Sequence, residues 1–144
     1  MRGVTRNQIE ELLGRRIAAW NAHDAAALAA MHAPDGTVAS PAGGALEGRD
    51  EIARVYRTWI SAFPDMITRQ ETVVIDGNRA VQVVTLAGTH AGEFFGLAAT
   101  RRHIEFLFAS VMTMTDGLIA EERRIYDFTG VLIQVGVLKA KPTA

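Results

Sequence analysis

The sequence predicts an α+β fold: helices packed on a single, strongly curved and mostly antiparallel sheet, with an apolar pocket between them. Three observations carry this expectation. Apolar residues recur at three- and four-residue spacing as far as Phe63. From Thr68 onward the period drops to two. Two Asp-Gly pairs, Asp76-Gly77 and Asp116-Gly117, then separate alternating runs. Such a pair is a strong hairpin signal because both central positions of the turn favour positive φ. Helices first and strands afterwards is the order of an α+β domain, not of alternating βαβ units. A chain of 144 residues fits one domain, spanning residues 1–144, that buries a sizeable core without staples.

Each element has its own signal. Residues 7–20 read as a helix with Ile9, Leu12, Leu13, Ile17 and Trp20 on one stripe and Glu10, Glu11, Arg15 and Arg16 off it. Asn21 to Asp24 break that helix and cap a short second one, with Leu28 and Met31 inward. Pro34, Asp35-Gly36, Pro41 and Gly43-Gly44 leave room only for brief extended pieces around Thr37 to Ser40 and Ala45 to Glu47, a small hairpin or lid. Asp50 is placed to cap a third helix whose face Ile52, Val55, Tyr56, Trp59, Ile60 and Phe63 ends at Pro64. Strands follow over Thr68 to Ile75, Arg79 to Thr89 and His103 to Thr115, the last with Ile104, Phe106, Phe108, Ser110, Met112 and Met114 on one face. Residues 90–102 are irregular. A final strand begins after Asp116-Gly117, and the tail from about residue 138 to 144 is expected to be mobile.

Composition removes several classes of function. The absence of cysteine excludes disulfides, thiolate metal sites and cysteine nucleophiles. The N-terminus lacks a signal-like apolar region, and no apolar run approaches the roughly 18 residues of a membrane span, so a cytoplasmic protein without membrane contact is expected. Fifteen basic and sixteen acidic residues leave a net charge of −1. The basic pairs Arg15/Arg16, Arg101/Arg102 and Arg123/Arg124 are too small for a nucleic-acid footprint, so no nucleic-acid partner is expected. His23, His32, His90 and His103 are scattered and no HExxH occurs, so no metal is expected. Gly-x-Ser-x-Gly is absent, which removes the nucleophile elbow.

The stretch from Asp116 to Gly136 carries the candidate chemistry. Counted at period two from Ile119, Glu121, Arg123, Ile125 and Asp127 share one face, while Glu122, Arg124, Tyr126 and Phe128 share the other. Asp127 stands where an apolar run begins. Two readings of it remain open: a carboxylate that caps the strand end or pairs with Arg123 or Arg124, and an acid/base group whose pKa is raised by burial. Trp20, Tyr56, Trp59, Phe63, Phe94 and Phe106 are candidate pocket walls, with core packing as the competing explanation. His90 is either a histidine satisfied by backbone or a polar contact to substrate.

Five pieces of the chain resemble one family: Trp20-Asn21-Ala22-His23-Asp24, Gly48-Arg49-Asp50-Glu51-Ile52, Phe63-Pro64-Asp65, the run Gly88-Thr89-His90-Ala91-Gly92-Glu93-Phe94 with Gly96-Leu97, and Asp127-Phe128-Thr129-Gly130 with Gln134-Val135-Gly136. In this order they are similar to the SnoaL-like polyketide cyclases, within the NTF2-like cone fold shared with ketosteroid isomerases and limonene epoxide hydrolases. The resemblance implies a cone-shaped α+β barrel, a homodimer or homotetramer, and no metal or organic cofactor. It implies Asp127 as general acid/base for an intramolecular aldol-type ring closure, with His90 as hydrogen-bond donor or substrate contact. A hydrophobic, carbonyl-containing small molecule is the implied substrate. Isomerisation of an enone, or epoxide opening in which Arg123 supports Asp127, would use the same pocket, as would a module that only binds or assembles. Arg101 departs from the family pattern, where a glycine is common.

Overall fold

The computed structural model describes residues 3–139, so the last part of the expected tail, residues 140–144, lies outside the described residues. Helix α1 spans Arg6–Asn21 and starts in a capping box, in which Thr5 Oγ1 accepts from the Gln8 N–H and Gln8 Oε1 accepts from the Thr5 N–H. Helix α2, Ala25–Ala30, is capped by Asp24. Strands β1 (His32–Ser40) and β2 (Gly44–Glu47) form the expected small hairpin, but β1 is longer than the brief piece expected around Thr37 to Ser40: it runs from His32 through Pro34 and Asp35-Gly36, accommodated by a register shift against β6. Helix α3 covers Arg49–Ala62. Its N-cap is Gly48 at φ 86°, so Asp50 is not the cap; with Glu51 it occupies the first turn, where a negative charge complements the helix dipole.

Strands β3 (Ile67–Asp76), β4 (Arg79–Thr89), β5 (His103–Thr115) and β6 (Leu118–Ile125) build the rest of one unclosed six-stranded sheet, ordered β2-β1-β6-β5-β4-β3. Every neighbouring pair is antiparallel except β1 with β6, which is parallel. The turn after β5 matches expectation, with Asp116 and Gly117 at φ 52° and 79°. The turn before β4 is displaced by one residue, onto Gly77 and Asn78, because Asp76 still pairs with Arg79. Register shifts in β1/β6, β3/β4 and β5/β6 bend the sheet.

Phe128, counted with the final strand in the sequence, instead opens a helix. The apolar run after Asp127 forms α4, Phe128–Gln134, with Asp127 as N-cap and Gly136 at φ 84° just past its end. Val131 and Val135, four residues apart, are both fully buried, so the run obeys helical spacing. Between β4 and β5, residues 94–97 close a tight turn in which Phe94 and Leu97 exchange two backbone hydrogen bonds of 2.9 Å. Gly92 lets this loop press against α3: a Cβ there would collide with the Ser61 carbonyl oxygen. The helices and the inner sheet face enclose one core, which includes Leu13, Leu28, Ile52, Val55, Phe63, Ile104 and Met112. Among the described residues no helix is long and apolar enough to cross a membrane.

Candidate active site

The inner face of β6 is decided by a single bulge. Thr115 pairs with Leu118 and Met114 with Ile119, but Thr113 pairs with Glu121, which leaves Ala120 as an extra residue. A one-residue insertion sends every later side chain to the opposite face. Ile119 therefore points inward together with Glu122 and Arg124, while Arg123 and Ile125 point outward.

Glu122 and Arg124 consequently sit in the core, where they meet a residue from the first helix. Arg16, expected off the apolar stripe of α1, is fully buried. Its Nη2 donates to Glu122 Oε2 at 2.7 Å, and its Nη1 donates to Gln82 Oε1 at 2.9 Å and Ser110 Oγ at 3.3 Å. Arg124 donates from Nε and Nη2 to the two oxygens of Glu122, at 3.0 and 3.1 Å. The Arg124 guanidinium also lies 4.6 Å from the centroid of the Tyr56 ring, close enough for a cation–π contact. Tyr56 and His32 are hydrogen-bonded through the hydroxyl and Nε2 at 2.7 Å. Gln82 closes the network by donating to the Leu13 carbonyl at 3.1 Å and Gln70 Oε1 at 3.0 Å.

Electrostatics fix the charge states. Burial is the largest influence on Glu122 and opposes its ionisation, but the guanidiniums of Arg124 and Arg16 outweigh it and hold the carboxyl well below the usual carboxylate range. At Arg124 burial again opposes the charge, and the Glu122 carboxylate more than offsets it. His32 behaves in the opposite way. Burial, with Arg124, Arg16 and Arg49 adding to it against the pull of Glu122, lowers its pKa to about 3. His32 is therefore neutral at physiological pH, and its 3.7 Å approach to Glu122 is not an ion pair.

In front of this network lies a pocket walled by Trp20 of α1, Trp59 of α3, Leu86 of β4, Phe106 and Phe108 of β5, Arg124 of β6 and Tyr126 just beyond it. Its free volume is about 20 Å³, room for about one water molecule. The aromatic walls close on one another: Trp59 stands 5.6 Å from Phe106 and 5.8 Å from Tyr126, centroid to centroid. Tyr126 is anchored by the Ala42 N–H, which donates to its hydroxyl at 3.1 Å, and burial raises its pKa.

The other residues singled out in the sequence fall in different places. Trp20, Trp59 and Phe106 line the pocket. Tyr56 is fully buried behind it, beneath Arg124. Phe63 and Phe94 are fully buried beside it, 5.3 Å from each other, with Phe94 4.8 Å from Trp59. His90 is fully buried just after β4. Its Nδ1 lies 2.9 Å from Thr100 Oγ1 and 3.2 Å from the Thr100 N–H, and its Nε2 has no partner. Asp127 is exposed, and its Oδ1 accepts the Gly130 N–H at 2.9 Å. The burial expected of Asp127 is absent. Asp127 shares no hydrogen bond or ion pair with His90 or Arg123 among the described residues. Arg123 lies on the outer side, in a groove of about 800 Å³ with Thr37, Glu47, Arg79, Thr113 and Glu121.

Period-two counting did not select Glu122 and Arg124 as a buried pair, and it had no means of finding Arg16 or His32. The available signal was charge on both faces of one strand, which requires one charged set to be buried and paired.

The fold is shared with proteins of known structure. TsrD from Streptomyces laurentii is similar in structure at TM-score 0.83 and 25% identity, covering 94% of this chain and 99% of that one. IdmH from Streptomyces antibioticus, a proposed polyketide cyclase, is similar at TM-score 0.73 and 26% identity, covering 88% and 97%. A Catenulispora acidiphila protein with a ketosteroid isomerase-like fold is similar at TM-score 0.75 and 20% identity, covering 88% and 92%, which speaks for the fold. No curated protein matches the chain by sequence. The profile of the SnoaL-like polyketide cyclases matches residues 10–135, from within α1 to the end of α4. The chain belongs to the SnoaL-like polyketide cyclase family, on an NTF2-like α+β fold.

Proposed function

We propose that this protein is a cofactor-independent enzyme that performs acid/base chemistry, an aldol-type cyclisation, on a hydrophobic carbonyl-containing small molecule. The observation that carries the reading is the aromatic pocket with a single guanidinium in its wall. Aromatic walls exclude water and orient a flat substrate, and a buried cation stabilises the enolate that forms when a proton leaves carbon beside a carbonyl. Asp127 is the proposed base. It follows Tyr126 directly and precedes Phe128, whose ring is 6.3 Å from Phe94, so it stands beside the aromatic cluster with its carboxylate accessible. His90, with its unpartnered Nε2, is the proposed assisting donor.

Asp127→Asn separates chemistry from folding. Asparagine caps a helix as well as aspartate does, so stability should change by less than about 0.5 kcal/mol. Proton abstraction should fall roughly 100- to 10,000-fold. Deuterium uptake at the carbon between the two carbonyls of an aromatic β-keto ester, followed by NMR, measures this directly. An unchanged exchange rate removes Asp127 from the mechanism.

We also propose a homodimer or homotetramer built through the outer face of the sheet. Ile67, Val74, Leu107 and Ile125 are 67%, 56%, 55% and 54% exposed on that face, across β3, β5 and β6. Large apolar side chains gathered on one solvent face mark an association surface. Sedimentation should give a multiple of the 15.6 kDa chain mass, reduced to one chain by Leu107→Lys with Ile125→Lys. A wild-type monomer at high concentration defeats the assignment. The small free volume of the pocket favours a second reading, a non-catalytic assembly module. That reading predicts oligomers with no deuterium exchange above background.

A further inference from the structure

The buried network does not balance its charge. Arg16, Glu122 and Arg124 are the ionised side chains enclosed in it, and His32 beside them is neutral. Two guanidiniums therefore face one carboxylate, and among the described residues no second carboxylate pairs with either. Glu122 occupies Nη2 of Arg16 and both Nε and Nη2 of Arg124. Nη1 of Arg124 makes no hydrogen bond among the described residues, and Arg124 is the guanidinium that lines the pocket. Trp20 supplies an independent sign. It lines the same pocket, it is 3% exposed, and its indole N–H is enclosed with no partner. The Tyr126 hydroxyl already accepts a backbone N–H. The residues walling the pocket thus hold unused donors and one uncompensated positive charge. A neutral carbonyl would satisfy the donors, but only an anion would satisfy the charge as well.

We propose that the substrate enters this pocket already ionised, as a flat aromatic compound that stacks against Trp20, Trp59 and Phe106 and presents a carboxylate or enolate oxygen to Nη1 of Arg124. The inference rests on the pocket being the substrate site, and it adds the charge of the ground-state ligand to that reading. Glu122 is a positioning residue in this arrangement. Its two oxygens fix the guanidinium plane, so that the remaining amino group is held in the pocket wall, and Arg16 secures Glu122 from behind. Because the walls nearly touch, binding also requires Phe106 and Tyr126, both half-buried, to swing apart.

The test compares ligand pairs of like shape that differ in charge, by calorimetry at neutral pH: 2-naphthoate against 2-naphthamide, benzoate against benzamide as the smaller pair, and 2-hydroxy-1,4-naphthoquinone against 2-methoxy-1,4-naphthoquinone as the enolate arm. The wild type is expected to bind at least one anion about tenfold or more tightly than its neutral partner. Whether the carboxylate or the enolate arm shows the larger ratio identifies which oxygen acid the pocket takes. Arg124→Met should abolish the preference, and Arg79→Met, on the outer face, should keep it. Equal binding of acid and neutral partner by the wild type overturns the inference and leaves the pocket reading intact. Binding of none of the six compounds overturns both. Should Arg124→Met fail to fold, the wild-type ratios alone decide.

Discussion

Replacing Glu122 by glutamine is expected to destabilise the fold by about 3–5 kcal/mol, among the largest effects of any single polar substitution in the chain. The side chain is fully enclosed and accepts three hydrogen bonds from two guanidiniums, at 2.7, 3.0 and 3.1 Å. Glutamine has nearly the same shape, so packing is preserved and the change is electrostatic. Two like charges would then face each other in the core with no carboxylate between them. Arg124→Met is the informative contrast: it leaves Arg16 and Glu122 as a neutral pair and should cost well under half as much. Urea unfolding at neutral pH measures both. For a domain of this size the Glu122→Gln loss corresponds to a drop of roughly 10 °C or more in Tm. Similar losses for the two variants would contradict the charge count on which the anion inference stands.

Stability should also fall steadily on the acid side of neutrality, beginning well above the range of ordinary carboxylates. His32 has a folded pKa of about 3 against an ordinary value of 6.5. Between those values the unfolded chain binds a proton that the folded chain excludes, so lowering the pH favours unfolding. The stabilisation from keeping this ring neutral is complete above pH 6.5 and is lost as the pH falls toward 3, at on the order of 1 kcal/mol per pH unit. Glu122 adds to the slope from about pH 4.5 downward, because its folded pKa is depressed and its stabilisation is present only above the unfolded value. Denaturant midpoints between pH 7 and pH 6 isolate the histidine, since Glu122 stays ionised in both states across that window. His32→Gln should flatten the dependence there. A wild-type slope that persists in the variant would locate the excluded proton elsewhere.

Both expectations concern residues that periodicity did not select, and the reason is local. The apolar stripes of α1 and α3, the Asp116-Gly117 turn and the inward face of β5 are set by spacing and turn chemistry within a few residues, so they were legible; the other hairpin was legible too, but its turn falls one residue later, on Gly77 and Asn78. The inward set Ile104, Phe106, Phe108, Ser110, Met112 and Met114 was read correctly because β5 keeps its alternation throughout. In β6 the alternation breaks at Ala120, and nothing in Leu118-Ile119-Ala120-Glu121 announces a bulge, because a bulge is a property of the pairing between two strands. The apolar run after Asp127 was equally ambiguous. Its length suits a strand or two turns of helix, and the Asp127 cap with Gly136 at the far end decides for the helix.

What the sequence by itself determined is the fold class, the order of most elements and the family, because periodicity, turn residues and recurring short motifs are encoded along the chain. What only the tertiary structure decided is which charged residues are inside. Arg16 comes from α1, His32 from the start of β1, Gln82 from β4, Ser110 from β5, and Glu122 and Arg124 from β6. A guanidinium on an otherwise apolar stripe is a surface residue until a carboxylate 106 positions away is brought to 2.7 Å from it. Burial of charge is a cooperative property of partners distant in sequence, and the bulge that turns Glu122 inward creates it.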